Sequence, residues 1–337
     1  MILAFVELSH ESLPLAEAEA VSAAEALGGR WGGRENAVAG LVPVEMPELA
    51  SLRELAARLA LARRCLVPLT APEGPVPTAR REGGQGGSAA FRRLGRPSGS
   101  DADAGVLECG RAFKSGGGRI DLDRPSRRFW LAEGSDGEDR LLEEVAAVDR
   151  VAPTRRRMPL LPFRRPVSLP PKLARAAVNL ARVVIGDRVL DPFLGTGALL
   201  AEGGLLGGRL YGVDRDPDMV RGSLQNFAHL GVGAEELLVG DAREVSFSDR
   251  AVRFSAIVTD APYGRSSSTG GEATVSLVER VLRRWAKELV PDGRIVLVAP
   301  AGPASPEVPG TLRFRIPVRV HRSLTREFRL YEWAGVT

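Results

Sequence analysis

From residue 171 to residue 298, short apolar runs alternate with stretches of helical periodicity, and this alternation constrains the fold more than any other feature of the chain. The apolar runs fall at 188–190, 209–213, 237–239, 256–259 and 294–298; helical spacing fills 172–184, the residues after 196, 217–230 and 274–289. Strand and helix in turn specify a doubly wound α/β fold on a largely parallel sheet, because parallel neighbours must be joined by a crossover. Two further runs, 313–320 and 327–333, read as a closing hairpin. Open sheets of this kind take ligands along the carboxyl edge of their strands. The residues that end each strand therefore carry the functional information.

Aspartates stand at that edge. Residues 189–197 read Val-Leu-Asp-Pro-Phe-Leu-Gly-Thr-Gly, a strand end opening into a helix. Glycines at 195 and 197 allow close backbone approach, and the Asp191 carboxylate can accept hydrogen bonds from an ammonium group. A dinucleotide fingerprint competes with this reading but fails at its third position, where Leu200 stands. Asp191 would also repel a pyrophosphate, whereas it suits the amino acid end of S-adenosylmethionine. A purely structural glycine turn is the plain alternative. Asp214 ends the second strand, where an acid can accept both ribose hydroxyls. Asp216, followed by Pro217, fits the cap and first turn of the next helix. Asp241 ends the third strand and could accept from an adenine amino group. Singly each acid is an ordinary surface residue; at successive strand ends of one sheet they read as a binding edge.

Thr-Asp-Ala-Pro-Tyr-Gly at 259–264 ends the fourth strand. An exocyclic amine on a nucleobase is a poor nucleophile because its lone pair is delocalised into the ring. Hydrogen bonds from such an amine to the Asp260 carboxylate and to a backbone carbonyl at Ala261 or Pro262 would localise that pair. Tyr263 would stack on the base, as flipped bases commonly do on aromatics. A proline turn with a capping aspartate is the structural alternative.

The first half of the chain reads differently. Residues 1–8, 37–46 and 65–69 are strand-like and 15–27 and 49–59 helical, with a weak strand within 30–36, giving the ferredoxin-like order βαββαβ. Residues 71–118 are loop-rich around one helix at 101–114, and strands at 119–121 and 128–131 complete a second small α/β module. Charge separates the two halves. The 46 basic side chains exceed the 42 acidic ones by only four, and all but Lys114, Lys172 and Lys287 are arginine. Compositional bias alone would give that total, so distribution decides. Residues 150–175 hold eight basic side chains and no acid, and their six prolines predict a stiff, extended strap. Such a strap suits a phosphate backbone, with Arg155, Arg156, Arg157, Arg164, Arg165 and Lys172 as the candidate RNA contacts. A solvated interdomain linker is its plain alternative.

Other classes are excluded by what is missing. Two cysteines, Cys65 and Cys109, cannot build a disulfide framework, and no Cys/His cluster has metal-ligand spacing. No apolar run approaches the ~18 residues of a membrane span, and the start lacks the basic-then-apolar pattern of a secretory signal. A cytoplasmic protein without a metal is expected.

The motifs taken together carry a resemblance. Pro-Val-Ser-Leu-Pro-Pro-Lys-Leu at 166–173, Leu-Asp-Pro-Phe-Leu-Gly-Thr-Gly at 190–197, Gly-Val-Asp at 212–214, Gly-Asp-Ala at 240–242, Thr-Asp-Ala-Pro-Tyr-Gly-Arg-Ser-Ser at 259–267 and Val-His-Arg-Ser-Leu-Thr at 320–325 are similar to the archaeal tRNA guanosine N2-methyltransferases that act at tRNA position 10. The resemblance spans residues 166–333. It implies a Rossmann-like, S-adenosylmethionine-dependent methyltransferase domain over 171–337, after a ferredoxin-like domain at 1–70, a THUMP RNA-binding domain at 71–150 and a basic proline-rich linker at 151–170. It further implies Asp260, Pro262 and Tyr263 as the catalytic motif, and Asp191, Phe193, Gly195, Thr196, Gly197, Asp214, Asp241 and Ala242 as the S-adenosylmethionine site. The implied product is N2-methylguanosine or N2,N2-dimethylguanosine in tRNA, made by a monomer that in some relatives needs a small activating subunit. The family usually has Asp-Pro-Pro-Tyr; Ala261 keeps the carbonyl but gives up backbone stiffness, so a looser geometry is expected. N2-methylation at another tRNA position, DNA adenine methylation through a similar motif, and a non-catalytic tRNA-binding relative stand as the alternatives.

Overall fold

The computed structural model describes every residue except 37, 39, 70–72, 95–100, 166–167, 250, 263–273, 303–305, 322–323 and 336–337. The chain divides into two compact units: Met1–Leu13, Leu27–Ala57 and Ala62–Asp149 form the first, and Pro14–Ala26, Arg58–Leu61 and Arg150–Thr337 the second.

The N-terminal half runs β1 (Ile2–Leu8), α1 (Leu13–Ala26), β2 (Arg30–Trp31), β3 (Leu41–Met46), α2 (Leu49–Arg58), β4 (Ala62–Pro68), α3 (Pro75–Gly83), β5 (Ser88–Arg93), α4 (Asp101–Ser115), β6 (Arg119–Ile120), β7 (Arg127–Glu133) and β8 (Asp139–Ala147). Its strands make one sheet in the order β2-β3-β1-β4-β8-β7-β5-β6. Antiparallel pairing of β4 with β8, Cys65 opposite Ala146, joins the strands before residue 70 to those after it. The strand expected over 37–46 begins at Leu41.

Three elements here escape a reading of the sequence. Helix α3 opens on two prolines, which look like loop, yet Pro costs nothing in a first turn that has no N–H partner to lose. Strand β5 is short and alanine-rich, so no apolar alternation marks it. Strand β8 is masked by its glutamates: Glu143 accepts from Arg127 Nε at 2.7 Å, and Glu144 accepts from Arg64 Nη1 at 2.9 Å and Trp130 Nε1 at 3.1 Å. Charges that are cross-strand partners look like solvated loop until the partner strand is known.

The second unit contains α5 (Ala152–Arg155), α6 (Pro171–Leu180), β9 (Arg188–Asp191), α7 (Ala198–Gly204), β10 (Arg209–Asp214), α8 (Pro217–Leu230), β11 (Glu236–Val239), β12 (Phe254–Asp260), α9 (Thr274–Trp285), β13 (Leu289–Pro300), β14 (Thr311–His321) and β15 (Leu324–Glu332). The sheet order is β11-β10-β9-β12-β13-β15-β14. Strands β11 to β13 are parallel, and β15 closes antiparallel on β13 and β14. Consecutive strands β9, β10 and β11 step to one side, and β12 returns to the other side of β9. The edge between β9 and β12 is thus the switch point at which α/β sheets open a crevice. Below it the core is knitted by Tyr211, Phe247, Phe254 and Trp285, whose rings meet mostly edge-to-face at 5.2 to 6.1 Å.

The membership of Pro14–Ala26 in this unit has a polar cause. Glu19 is fully buried and accepts from the backbone N–H groups of Ala60 (3.0 Å) and Leu61 (2.8 Å) and from Asn179 Nδ2 (2.8 Å). Asn179 Oδ1 in turn accepts from Arg58 Nε at 3.0 Å. A buried carboxylate needs such a full set of donors.

The strap departs from its expected extended form. Residues 152–155 are helical and Met158–Leu160 make a 3₁₀ turn. Pro153 and Pro159 lie in these short helical pieces, where a missing N–H and a fixed φ are tolerated.

Candidate active site

Four of the expected acids reach one cleft of about 290 Å³, which is lined by Asp191, Asp214, Asp241 and Asp260 together with the loop around Gly195. Asp191 ends β9 and is almost wholly buried. Its Oδ1 accepts from Thr259 Oγ1 at 2.6 Å, across the switch point, and from the Phe193 N–H at 3.0 Å. Burial pushes its carboxyl up to about 7 against these two bonds, with Asp260 and Asp214 nearby adding to the rise.

The glycine loop is shaped by different forces at its two glycines. The Gly195 N–H donates to Asp214 Oδ2 at 2.7 Å, while Asp214 Oδ1 accepts from the Asp216 N–H at 2.9 Å. Asp214 therefore ties the loop to the end of β10, and burial raises its own carboxyl. Gly197 caps α7 at φ +77°, and a Cβ there would lie 2.7 Å from the Phe227 ring and 2.9 Å from Ser223 Cβ. Gly197 serves the packing of α7 on α8; a Cβ at Gly195 would meet nothing nearer than the Phe193 carbonyl at 3.9 Å. Asp216 caps α8 by accepting from the Asp218 N–H at 2.8 Å, as the sequence indicates.

Asp241 has the opposite electrostatics to Asp191. Arg243 holds it through both its backbone N–H and its guanidinium, and that bond draws the carboxyl down to about 2. Ala242 is buried, its carbonyl accepting from Trp285 Nε1 at 2.9 Å and Arg284 Nη1 at 2.8 Å. Thr196 shares a 2.6 Å hydrogen bond with Ser168, and its carbonyl accepts from Asn226 Nδ2 at 3.1 Å. Phe193, Ser168 and Pro262 also line the cleft.

Asp260 ends β12, and its Oδ2 is paired with Arg326 Nη1 of β15. Its Oδ1 is buried and meets no hydrogen-bond partner among the described residues. The next residue answers a question the sequence raised: the Ala261 N–H donates to Val298 O at 2.8 Å, extending the β12–β13 ladder by one step. A proline could not make that bond. The looser geometry expected of Ala261 is replaced by a backbone hydrogen bond. Tyr263, with the rest of 263–273, lies outside the described residues, as do 166–167 and 322–323 of the quoted motifs.

The strap is docked on this unit rather than running free. Asn226 bonds both the N–H (3.0 Å) and the carbonyl (3.1 Å) of Phe163, whose ring occupies the space a side chain at Gly222 would need. Arg156 pairs with the buried Glu202 through Nε at 2.7 Å and Nη2 at 3.1 Å, and Arg175 reaches the same carboxylate at 2.7 Å. The acid missing from the strap in sequence is thus supplied by α7, and Arg156 is held there, unlike Arg155, Arg157 and Arg164, which are exposed. Arg165 lies 4.5 Å over the Phe163 ring and lines the cleft; Lys172 is half-buried.

Comparison with known proteins agrees with this geometry. Residues 160–315 match the RMKL-like methyltransferase domain family. A tRNA (guanine(10)-N2)-dimethyltransferase of Methanothermobacter thermautotrophicus is 37% identical over 240 residues, covering 69% of this chain and 70% of that protein. The chain belongs to the tRNA (guanine(10)-N2)-dimethyltransferase family. The family's Pyrococcus abyssi member is 38% identical over 175 residues, 51% of this chain and 52% of its own length. TrmN from Thermus thermophilus superposes with a TM-score of 0.49 at 23% identity, over 98% of this chain and 99% of that one.

Thr259, Ser168, Asn226 and Arg326 are site residues that sequence reasoning missed. Thr259 precedes Asp260 directly, and its strand position next to the switch point was a usable signal. Arg326 carried none: it belongs to a strand far along the chain, and only the pairing register brings it to the site.

Proposed function

We propose that this protein transfers methyl groups from S-adenosylmethionine to the N2 amine of guanosine 10 in tRNA, giving N2-methylguanosine or N2,N2-dimethylguanosine. The observation that carries the reading is cleft-lining Asp260, whose buried Oδ1 has no partner among the described residues, with Ala261 and Pro262 lining the same cleft. The set of acceptors suits the cofactor. Asp191 is placed for an ammonium group, and Asp214 and Asp241 follow at the next two strand ends for ribose hydroxyls and an adenine amine. S-adenosylmethionine, when bound, supplies the methyl group on a sulfonium. The rest is positioning, which turns a bimolecular transfer into an effectively intramolecular one.

Asp260 Oδ1 takes one hydrogen bond from the guanine amine and a carbonyl at Ala261 or Pro262 takes the other, with Tyr263 stacking on the base. Guanosine 10 is extruded from its pair to reach them. The segments 1–70, read as ferredoxin-like, and 71–150, read as THUMP, bind and orient the tRNA. Arg155, Arg157, Arg164, Arg165 and Lys172 meet phosphates, which fix placement rather than sequence. The enzyme works as a cytoplasmic monomer, with a small activating subunit where one is required.

The test is transfer of labelled methyl to unmodified tRNA by the full chain, followed by digestion and mapping. Label in N2-methylated guanosine at position 10 is expected, abolished by Asp260→Ala with tRNA affinity kept. Cofactor binding without label in tRNA would overturn the reading.

A further inference from the structure

The partner of Asp260 has a part beyond pairing. Arg326 is 2% exposed, among the largest fully buried side chains of the protein, and buried cations are rare unless they are paired. It sits on β15 opposite Pro300, the last residue of β13, while Asp260 on β12 is opposite Val298. The guanidinium reaches Asp260 Oδ2 at 2.5 Å. The two oxygens of that carboxylate, in a cleft-lining residue, are thus unlike: Oδ2 is committed to Arg326, and Oδ1 is buried without a partner among the described residues.

We propose that Arg326 is a positioning residue for the transfer, favouring the ionised form of Asp260 and turning it so that Oδ1 is the acceptor for the substrate amine. The inference rests on the guanosine N2-methyltransferase reading and deepens it. In the transfer an N–C bond forms at N2 as the S–C bond to the methyl group breaks, and the positive charge passes from sulfur to nitrogen. The amine must then lose a proton, which Asp260 Oδ1 takes and releases to solvent once the methylated base leaves the cleft. A protonated Asp260 could neither accept the amine's hydrogen bond nor take that proton.

Burial raises Asp260 and Arg326 opposes the rise, the balance leaving its carboxyl at about 7. The charged groups facing Asp260 among the described residues are Arg326 from β15 and Asp191 from β9, the second acting against ionisation. At this level β13 offers only Val298 and Ala299. Removing an adjacent opposite charge raises a carboxyl by about one to three pH units. In Arg326→Gln, transfer near pH 7 should therefore fall by roughly tenfold or more and recover toward wild type as the pH is raised.

Two readouts check this. The first is carboxyl-carbon NMR of aspartate-labelled protein without ligands, with the Asp260 signal assigned by its loss in Asp260→Asn. The second is the pH profile of transfer to tRNA at saturating cofactor. In Arg326→Gln the Asp260 midpoint and the acid limb should rise together, while Arg326→Lys, which keeps the charge, should keep both near wild type. Unchanged cofactor affinity confirms that each variant is folded; if Arg326→Gln fails that check, Arg326→Met takes its place, and Arg326→Lys still tests the role of charge. An unmoved Asp260 midpoint, or a loss of transfer equal at every pH, overturns the proposal. Wild-type protein that leaves tRNA unlabelled would instead sink the functional reading, and the NMR titration would still stand on its own.

Discussion

The sharpest physical consequence of the site concerns the stability of the protein without its cofactor. Asp191 has an ordinary carboxyl value of 3.8 and is pushed to about 7, chiefly by burial. The folded state therefore holds a proton that the unfolded state has released across that interval. Its stabilising effect is fully present below about pH 4 and is lost as the pH climbs to about 7. At about 1.4 kcal/mol per pH unit, the whole loss is on the order of 4 kcal/mol, of which about 3 falls between pH 5 and pH 8. Asn keeps the shape and an oxygen that can still accept from Thr259 and the Phe193 N–H, but it cannot ionise. Asp191→Asn should thus gain on wild type by about 3 kcal/mol on going from pH 5 to pH 8. The assay is urea unfolding of the cofactor-free protein at both pH values, followed by circular dichroism. Calorimetry at pH 8 should meanwhile show weaker S-adenosylmethionine binding in the variant. A difference between the two proteins that does not change with pH would refute the reasoning.

Gly197→Ala should destabilise the protein by about 2 to 4 kcal/mol, from left-handed strain plus overpacking on Phe227, whereas Gly195→Ala should cost only about 1 to 2; thermal unfolding of both variants checks the order. Alanine at Arg155 and Arg157 should weaken tRNA binding and flatten its salt dependence, while Arg156→Ala should act mainly on stability, losing about 1.5 to 3 kcal/mol because Glu202 keeps Arg175 as a partner. Salt titrations of tRNA affinity beside unfolding curves separate the two effects. Ala261→Pro should destabilise the protein by about 1 kcal/mol or more in thermal unfolding, because it removes the ladder bond to Val298, a loss that exceeds the gain from a stiffer unfolded chain.

The nucleotide-binding half was legible in the sequence because its signals are local. Strands β9, β10, β11 and β12 are short, largely apolar runs, and each ends in an acid or runs into the Gly240–Asp241 turn. Asp216 and Pro217 could be read as a cap for the same reason. The first half hid more. Strand β8 carries Glu143 and Glu144 for partners on β7 and β4, and neither partner is near in sequence. The strap misled in the same way. Its lack of acids was real, but Glu202, on α7, neutralises Arg156 and Arg175 from a distance no linear count of charges can see.

The hairpin β14–β15 looked in sequence like a mere closure of the sheet, and the geometry gives it a larger part. On the proposed reading, the substrate amine meets two acceptors, a carboxylate oxygen and a backbone carbonyl, and each must be fixed in direction. The segment carrying the carbonyls is fixed from β13, because the Ala261 N–H bonds Val298 O; the carboxylate is fixed from β15, because Arg326 takes Oδ2. A proline at 261 would reach the first end by stiffness of the ring, and alanine reaches it by a ladder bond. The departure at Ala261 is therefore no mark of a disabled relative. What would disable the motif is loss of its neighbours: a frayed β13–β15 pairing would release the carboxylate and the peptide beside it together.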